Sequence, residues 1–271
     1  MRFIMLVKSD ANAEAGVLPD AKMLSEMGAY NEKLSKAGLM LAGDGIQASS
    51  KGARVRITGK QAVVTDGPFT EGKELVAGYW VIQAKSKAEA VEWAKRVPFQ
   101  DGEIEIRQLF ETDDFPVDPA EKPDGWREQE ERFREAAAPA RKPGTTRYVL
   151  LLKADKNTEA GMPPNEKLLA AMGALVEEMA KAGALLAGEG LQPSSKGARV
   201  KFAGGKTTVT DGPFTEAKEL VAGYAIIQVA SKAEAVEWAK RMLAIHVEGT
   251  GIDHGQSEIR QLFELEDFPS A

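Results

Sequence analysis

The chain contains two histidines, His246 and His254, and no cysteine. Thiolate nucleophiles, disulfides and sulfur-rich metal sites are therefore excluded together. Proton transfer near neutral pH would fall to histidine, which titrates there unperturbed, or to carboxylates displaced by their surroundings. His254 lies six residues before Arg260, where Asp101 lies six residues before Arg107, so an HG dipeptide replaces a DG dipeptide at a matched position. It is the first candidate for a proton carrier or ligand at the mouth of a cleft, the plain alternative being a solvated loop histidine. Asp211, in DGPF, and Glu189, in AGEG, complete an acid–base set of His254, Asp211 and Glu189. Carboxylates at matched places, Asp44 with Glu189, could face each other across a pseudo-two-fold and share a proton, or stand as solvated strand ends.

Around these residues stand groups suited to holding a polar ligand: Asp66, Lys73, Lys218, Tyr79, Tyr224, Arg107 and Arg260, together with Asp44. A tyrosine hydroxyl can donate one directed hydrogen bond, and an arginine can grip a carboxylate with two. Each also has a structural reading: core packing for the tyrosines, internal ion pairs for the arginines, a capped and solvated turn for the DGPF aspartates. His246 falls in an eight-residue excess of the second half, read as a tolerated surface insertion. Two histidines eight apart in a Gly-containing loop, without clustered carboxylates, do not make a metal site. No metal and no cofactor are expected.

Most of these residues occur twice. VTDGPFTE at 64–71 returns at 209–216, and SSKGARV, KELVAGY, SKAEAVEWAKR and EIRQLFE also recur. The first of these blocks is displaced by 145 residues, too long a period for a solenoid, so the chain is a duplicated domain. The expected division is a first domain at 1–116, a charged, proline-rich linker at 117–144, and a second domain at 145–271. WREQEERFREAAA within the linker has Trp126 and Phe133 seven apart, enough for a short helix on a solvated spacer or on a strap across the domains.

The net charge of −6 is spread over all three segments and no part is basic, which argues against direct nucleic-acid binding. The first residues, MRFIMLVKSD, are too short an apolar run for a signal peptide or membrane span, so a cytoplasmic protein with no membrane partner is expected.

Periodicity orders the elements. Residues 2–8 and 147–153 are short apolar runs suited to a central strand. Met23, Met27, Tyr30 and Leu34, and Leu168, Met172, Leu175 and Met179, advance by three and four along one helical stripe ended by Gly38 and Gly183. A hairpin and a strand, LVAGYWVIQ or LVAGYAIIQ, follow. A second helix opens with the capping-box pair Ser86 and Glu89, or Ser231 and Glu234, and EIRQLFE closes each half. The order β, α, β, hairpin, β, α, β predicts an α+β fold of two ferredoxin-like domains, of the dimeric α+β barrel type. Because LVAGYWVIQ is apolar on both sides, the two sheets should pack face to face as an intramolecular pseudo-dimer. Trp80 in one half is Ala225 in the other, so one half either fills this space differently or holds a pocket.

The ordered blocks LAGDGIQ, VTDGPFTEGKELVAGY, SKAEAVEWAKR and the closing EIR strand, present in both halves, resemble the DGPF branch of the YciI-like (YCII-related) family. The resemblance covers about residues 1–112 and 146–265. It implies the same ferredoxin-like fold, dimeric packing and a cleft near the sheet interface. It also implies acid–base chemistry for some members, through a histidine on the first helix paired with an aspartate. Here the helices at 20–37 and 165–182 contain no histidine. The DGPF branch often carries His-Gly where His254 and Gly255 stand, which sets the second half nearer the family.

Two functional readings follow. The first is a small-molecule-binding tandem protein working as an isomerase or lyase-like enzyme without redox cofactor, at a cleft near the sheet interface. The second is a non-catalytic metabolite- or protein-binding regulatory module, of the sigma-factor-associated type that the resemblance suggests. A small-molecule ligand is the expected partner, with a protein as the alternative. The assembly expected is a monomeric pseudo-dimer or a further homodimer of it.

Overall fold

A computed structural model describes residues 1–70, 75–111, 114, 142–162, 164–215 and 220–268. The linker helix expected over WREQEERFREAAA lies outside these residues, as do Lys73 and Lys218.

The first half runs β1 (Arg2–Lys8), α1 (Ala11–Glu14), α2 (Ala21–Lys36), β2 (Met40–Gly45), β3 (Ala53–Thr58), β4 (Gln61–Asp66), β5 (Val76–Gln83), α3 (Lys87–Ala94) and β6 (Gly102–Gln108). The second repeats it as β7 (Thr146–Lys153), α4 (Lys156–Glu159), α5 (Glu166–Lys181), β8 (Leu185–Gly190), β9 (Ala198–Ala203), β10 (Lys206–Asp211), β11 (Val221–Val229), α6 (Lys232–Thr250) and β12 (His254–Gln261). Local chemistry explains the boundaries. Asp20 and Asn165 cap α2 and α5 by accepting from the backbone N–H groups of Met23 and Leu168. Gly38 and Gly183, at φ 69° and 63°, take the left-handed turn that ends them. Ser86 caps α3, but Glu89 reaches the amide of Lys85, one residue before the cap, rather than that of Ser86.

Each half contributes a four-stranded ferredoxin-like sheet, ordered β6-β1-β5-β2 and β12-β7-β11-β8, with β1 and β7 central as their apolar runs require. The hairpins do not stay with their own half. β3–β4 adds to β12, and β9–β10 adds to β6, giving two six-stranded antiparallel sheets that each draw on both copies. Alternation along β3 sends Ala53, Val55 and Ile57 into the second copy's core beside Leu150, Ile259 and Leu243 of α6. Ala198, Val200 and Phe202 enter the first copy's core in return.

Opposite faces of the same strands meet at a seam. Trp80 and Ile82 of β5 face the helices, while Tyr79 and Val81 pack with Ile4, Leu6, Val149, Leu151, Tyr224 and Ile226 between the sheets. Tyr79 and Tyr224 are 6.0 Å apart between ring centroids. Bridges from Ile46 to Leu262 and from Leu109 to Leu191 tie the ends of one sheet to the other, completing the barrel-like closure. The Trp80/Ala225 difference is resolved by the helices. Trp80 donates to Asn31 at 2.8 Å and meets Tyr30 edge-on. Val176 and Leu175 hold those two positions in the second copy, where the lengthened α6 adds Met242, Leu243 and Val247 to the core containing Ala225.

Two glycine pairs allow the exchange. A Cβ at Gly52 would sit 2.4 Å from the carbonyl oxygen of Ile259, and at Gly67 1.9 Å from that of Ser49. Both obstacles are backbone, so the turn and the partner strand approach as only glycine permits. Gly67→Ala should therefore lower Tm by several degrees, a cost on the order of 1–3 kcal/mol. Gly28→Ala, in α2 with no atom within 4 Å of the added Cβ, should leave Tm unchanged or raise it. Thermal denaturation of the two variants checks the contrast; equal Tm values would refute it.

Candidate functional site

The charged residues of the seam-facing side form two related clusters. On β6, Glu105 is fully buried and meets Lys8 of β1 at 3.1 Å, Arg107 at 3.3 Å and Arg199 of β9 at 3.0 Å. Arg107, also fully buried, donates to the carbonyl of Gln192 at 2.7 Å and to Glu159 of α4 at 3.0 Å. On β12, Arg260 repeats this with Glu258 at 3.0 Å, Glu14 of α1 at 3.0 Å and the carbonyl of Gln47 at 2.6 Å. Arg54 of β3 reaches Glu258 at 3.2 Å. Six of these nine contacts join the two copies; those of Glu105 with Lys8 and Arg107, and of Glu258 with Arg260, lie within one copy.

The electrostatics follow from burial and neighbours. Burial alone would raise the Glu105 carboxyl, but Lys8, Arg107 and Arg199 outweigh it and hold its pKa at about 2. Glu14 is likewise held below the usual carboxylate range: burial opposes ionisation, and hydrogen bonds from Ser49 with the charge of Arg260 favour it. The clusters differ in one carboxylate, because Gln256, which accepts from Arg56 at 2.8 Å, stands where Glu103 lies 3.6 Å from Arg199.

Asp44 and Glu189 sit at the outer strands of the seam, and they do not share a proton with each other; each is held by an arginine of the opposite copy. Asp44 accepts from the Tyr79 hydroxyl at 2.7 Å and from Arg147 at 2.8 Å, and Arg147 also binds Glu264. Glu189 pairs with Arg2, which also binds Glu111. Burial pushes the Tyr79 hydroxyl well above its ordinary pKa, and the Asp44 charge adds to this. The Tyr224 hydroxyl is raised chiefly by burial and then by Glu189. Neither phenol is placed to titrate near neutrality.

The DGPF turns join opposite copies as well. Asp66 pairs with Lys232, at the start of α6, and Asp211 with Lys87, at the start of α3, each at 2.6 Å. Phe69 lies under the Arg54 guanidinium at 4.0 Å and Phe214 under Arg199 at 4.1 Å. The amides of Phe69 and Phe214 donate to the hydroxyls of Ser49 and Ser194. Both turns contain a cis Gly–Pro bond.

His254 opens β12 opposite Thr58, with 62% of its side chain exposed, and its Nδ1 lies 2.9 Å from Asp253. Asp211, 70% exposed, is engaged with Lys87, and Glu189 with Arg2, so none of the three expected acid–base groups is in contact with another. Tyr79, Asp44, Tyr224 and Glu189 do gather at the seam, while Arg107 and Arg260 lie within it behind protein acceptors. The eight extra residues around His246 are not a surface loop: they lengthen α6, because EWAKRMLAIHVEGT keeps helical spacing until Gly251 turns left-handed. His246 is thereby buried, with Nε2 3.2 Å from Asp155, the residue capping α4. Burial opposes ionisation of Asp155, but His246 and the amides of Thr158 and Asn157 hold its pKa low.

Several of these residues escaped the sequence. Glu105, Glu258, Glu14 and Glu159 look like ordinary surface carboxylates until the exchanged hairpins bring Arg199 and Arg54 onto the first two and the closing strands of the other copy bring Arg260 and Arg107 onto the last two. The signal lay in the repeated arginine of SSKGARV, the lysine closing each first strand, and Arg107 and Arg260, for which internal ion pairs were one of the two readings.

With its exchanged hairpins and a seam built twice over, the molecule is a fused pair of like α+β domains. Residues 1–113 and 146–246 match the model of the YCII-related domain, and the chain belongs to that family. It is also 33% identical over 76 residues, 28% of this chain, to an uncharacterized protein of Rhizobium meliloti. The match spans 61% of that relative's length. Among the described residues no helix is long and apolar enough to cross a membrane.

Glu105→Gln should destabilise the fold at neutral pH by about 3–5 kcal/mol, because it leaves three cations short of their shared anion. The pH dependence has a fixed sign. A carboxyl titrating near 2 when folded and near 4.5 when free stabilises fully above pH 4.5 and loses that contribution, about 3 kcal/mol, as pH falls toward 2. Urea unfolding from pH 7 to pH 2 should show this loss in the native protein and a shallower one in Glu105→Gln.

Proposed function

We propose that this protein is a non-catalytic ligand-binding module whose duplicated seam is a scaffold for small-molecule recognition. The observation that carries this reading is the engagement of the candidate carboxylates. Asp44, Glu189, Asp66 and Asp211 are each paired with a basic residue of the opposite copy. A general acid or base must exchange its proton near the working pH. Carboxylates whose oxygens are already taken up by arginine or lysine, and phenols pushed upward by burial, serve better as fixed dipoles and charges that orient a polar ligand.

One observation favours an enzyme instead. The His246 and Asp155 pair is buried in the second copy, and a histidine oriented by a carboxylate is a common proton-transfer arrangement. On that reading the reaction is an isomerase or lyase-like proton transfer, and His246 rather than His254 carries the proton.

A thermal-shift screen of metabolites should find ligands that raise Tm, since binding to the native state stabilises it. A ligand found this way should remain chemically unchanged by NMR after prolonged incubation with the protein, and His254→Ala should bind it equally well. Conversion of the ligand, with a pH limb near the histidine range that disappears in His246→Gln, would replace the binding reading with the enzymatic one.

A further inference from the structure

The two copies diverge most plainly on the outer face of the first copy, away from the seam, between α2 and the end of α3. There a groove of about 570 Å³ is lined by Tyr30, Lys33, Trp93, Arg96 and Pro98, with Lys36 and Glu26 at its rim. Its size lies within the range of small-molecule sites.

The matched place in the second copy shows what the groove lacks. Arg241 lies over Trp238 at 4.8 Å, as Arg96 lies over Trp93 at 4.5 Å. The guanidinium of Arg241 is met on both Nη atoms by the carboxylate of Glu178, the Nη1 bond measuring 2.8 Å. Glu178 matches Lys33 in the first copy, a carboxylate exchanged for a cation. Lys36 is paired with Glu32 and Glu26 with Lys22; Glu92 is bonded to Lys95 and meets Arg96 only as a nearby charge, and among the described residues neither Lys33 nor Arg96 has a carboxylate within ion-pair distance. The second copy also closes this region by continuing α6 through Leu243, where the first has Pro98. An arginine already oriented on an indole ring, a second cation in place of its carboxylate, and an apolar wall of Tyr30, Trp93 and Pro98 thus occur together in one concavity.

We propose that this groove binds a small organic carboxylate, whose anionic group takes the place on Arg96 that Glu178 takes on Arg241, with Lys33 as the second cation. Bidentate carboxylate recognition is the usual use of an arginine held in this way. The apolar wall accepts a compact hydrocarbon or ring attached to that carboxylate.

Phenylacetate is a suitable probe, with 2-phenylethanol as its uncharged counterpart, each titrated calorimetrically into the full chain. Phenylacetate should bind with Kd on the order of 1 mM, as a ligand of this size allows, and 2-phenylethanol at least tenfold more weakly. Lys33→Glu supplies the missing carboxylate from within. It should keep or raise Tm and weaken phenylacetate at least tenfold, and Arg96→Gln should weaken it similarly. Glu178→Lys, on the other copy, leaves Lys33 and Arg96 untouched and should not weaken phenylacetate, any gain coming from the Arg241 it frees. No measurable phenylacetate binding, equal binding of the alcohol, undiminished binding by Lys33→Glu, or loss in Glu178→Lys would each overturn the assignment. The groove is separate from the seam, so a ligand whose binding survives Lys33→Glu would still support the module reading while removing this site.

Discussion

The structure depends on a mutual exchange: each half lends its hairpin to the sheet of the other, and the charges that this brings inside must neutralise one another there. Glu105 illustrates the constraint. It comes from the first copy, and one of its three cations, Arg199, arrives only on the hairpin of the second. Without that hairpin Glu105 would face a sheet edge with fewer partners, and Ile104 and Ile106 would lose Val200 and Ala198 beside them. Removing buried charge from water is costly unless its partners are in place. The ion clusters therefore require that a hairpin carrying this arginine cover each closing strand.

This view gives the strongest internal repeats a physical reason. SSKGARV supplies the serine that holds the DGPF turn, the glycine that the partner strand passes, and the arginine that reaches the partner's glutamate. DGPF supplies the aspartate that pairs with the other copy's helix, and EIRQLFE the arginine that grips the other copy's loop. All lie where one copy touches the other. A change there must be matched in the opposite half, which ties the two versions together.

Much of the fold was legible because its signals are local. Helical stripes, the Gly38 and Gly183 stops, the serine caps and the two-sided apolar strand gave the element order, the ferredoxin-like units and the face-to-face seam. The hairpin exchange was not legible, since a hairpin's alternation is the same whichever copy it joins. The candidate site was read less well for the same reason. Asp44, Glu189, Tyr79 and Tyr224 were found at the seam because they are polar or glycine-flanked residues at matched strand positions. The arginines that hold the two carboxylates come from the other copy, about 100 residues or more away in sequence. His246 was misplaced because an insertion of eight residues reads as a loop unless its continuation of the preceding helix is weighed.

The helices, in contrast, face solvent and a core to which the other copy contributes only its hairpin, so α2 does not meet α5, nor α3 meet α6, across the molecule. Tyr30, Asn31, Lys33 and Trp80 stand where the second copy has Leu175, Val176, Glu178 and Ala225, and three of them form one connected patch: Trp80 bonds Asn31, and its ring meets Tyr30. The lengthened α6 brought Leu243, Val247 and the His246–Asp155 pair to the other copy's matching layer. A duplicated chain of this design is therefore rigidly symmetric at its centre and free to differ at its two outer layers. Distinct binding properties are more easily acquired there than at the seam, where any new cavity in one copy would also remove a support from the other.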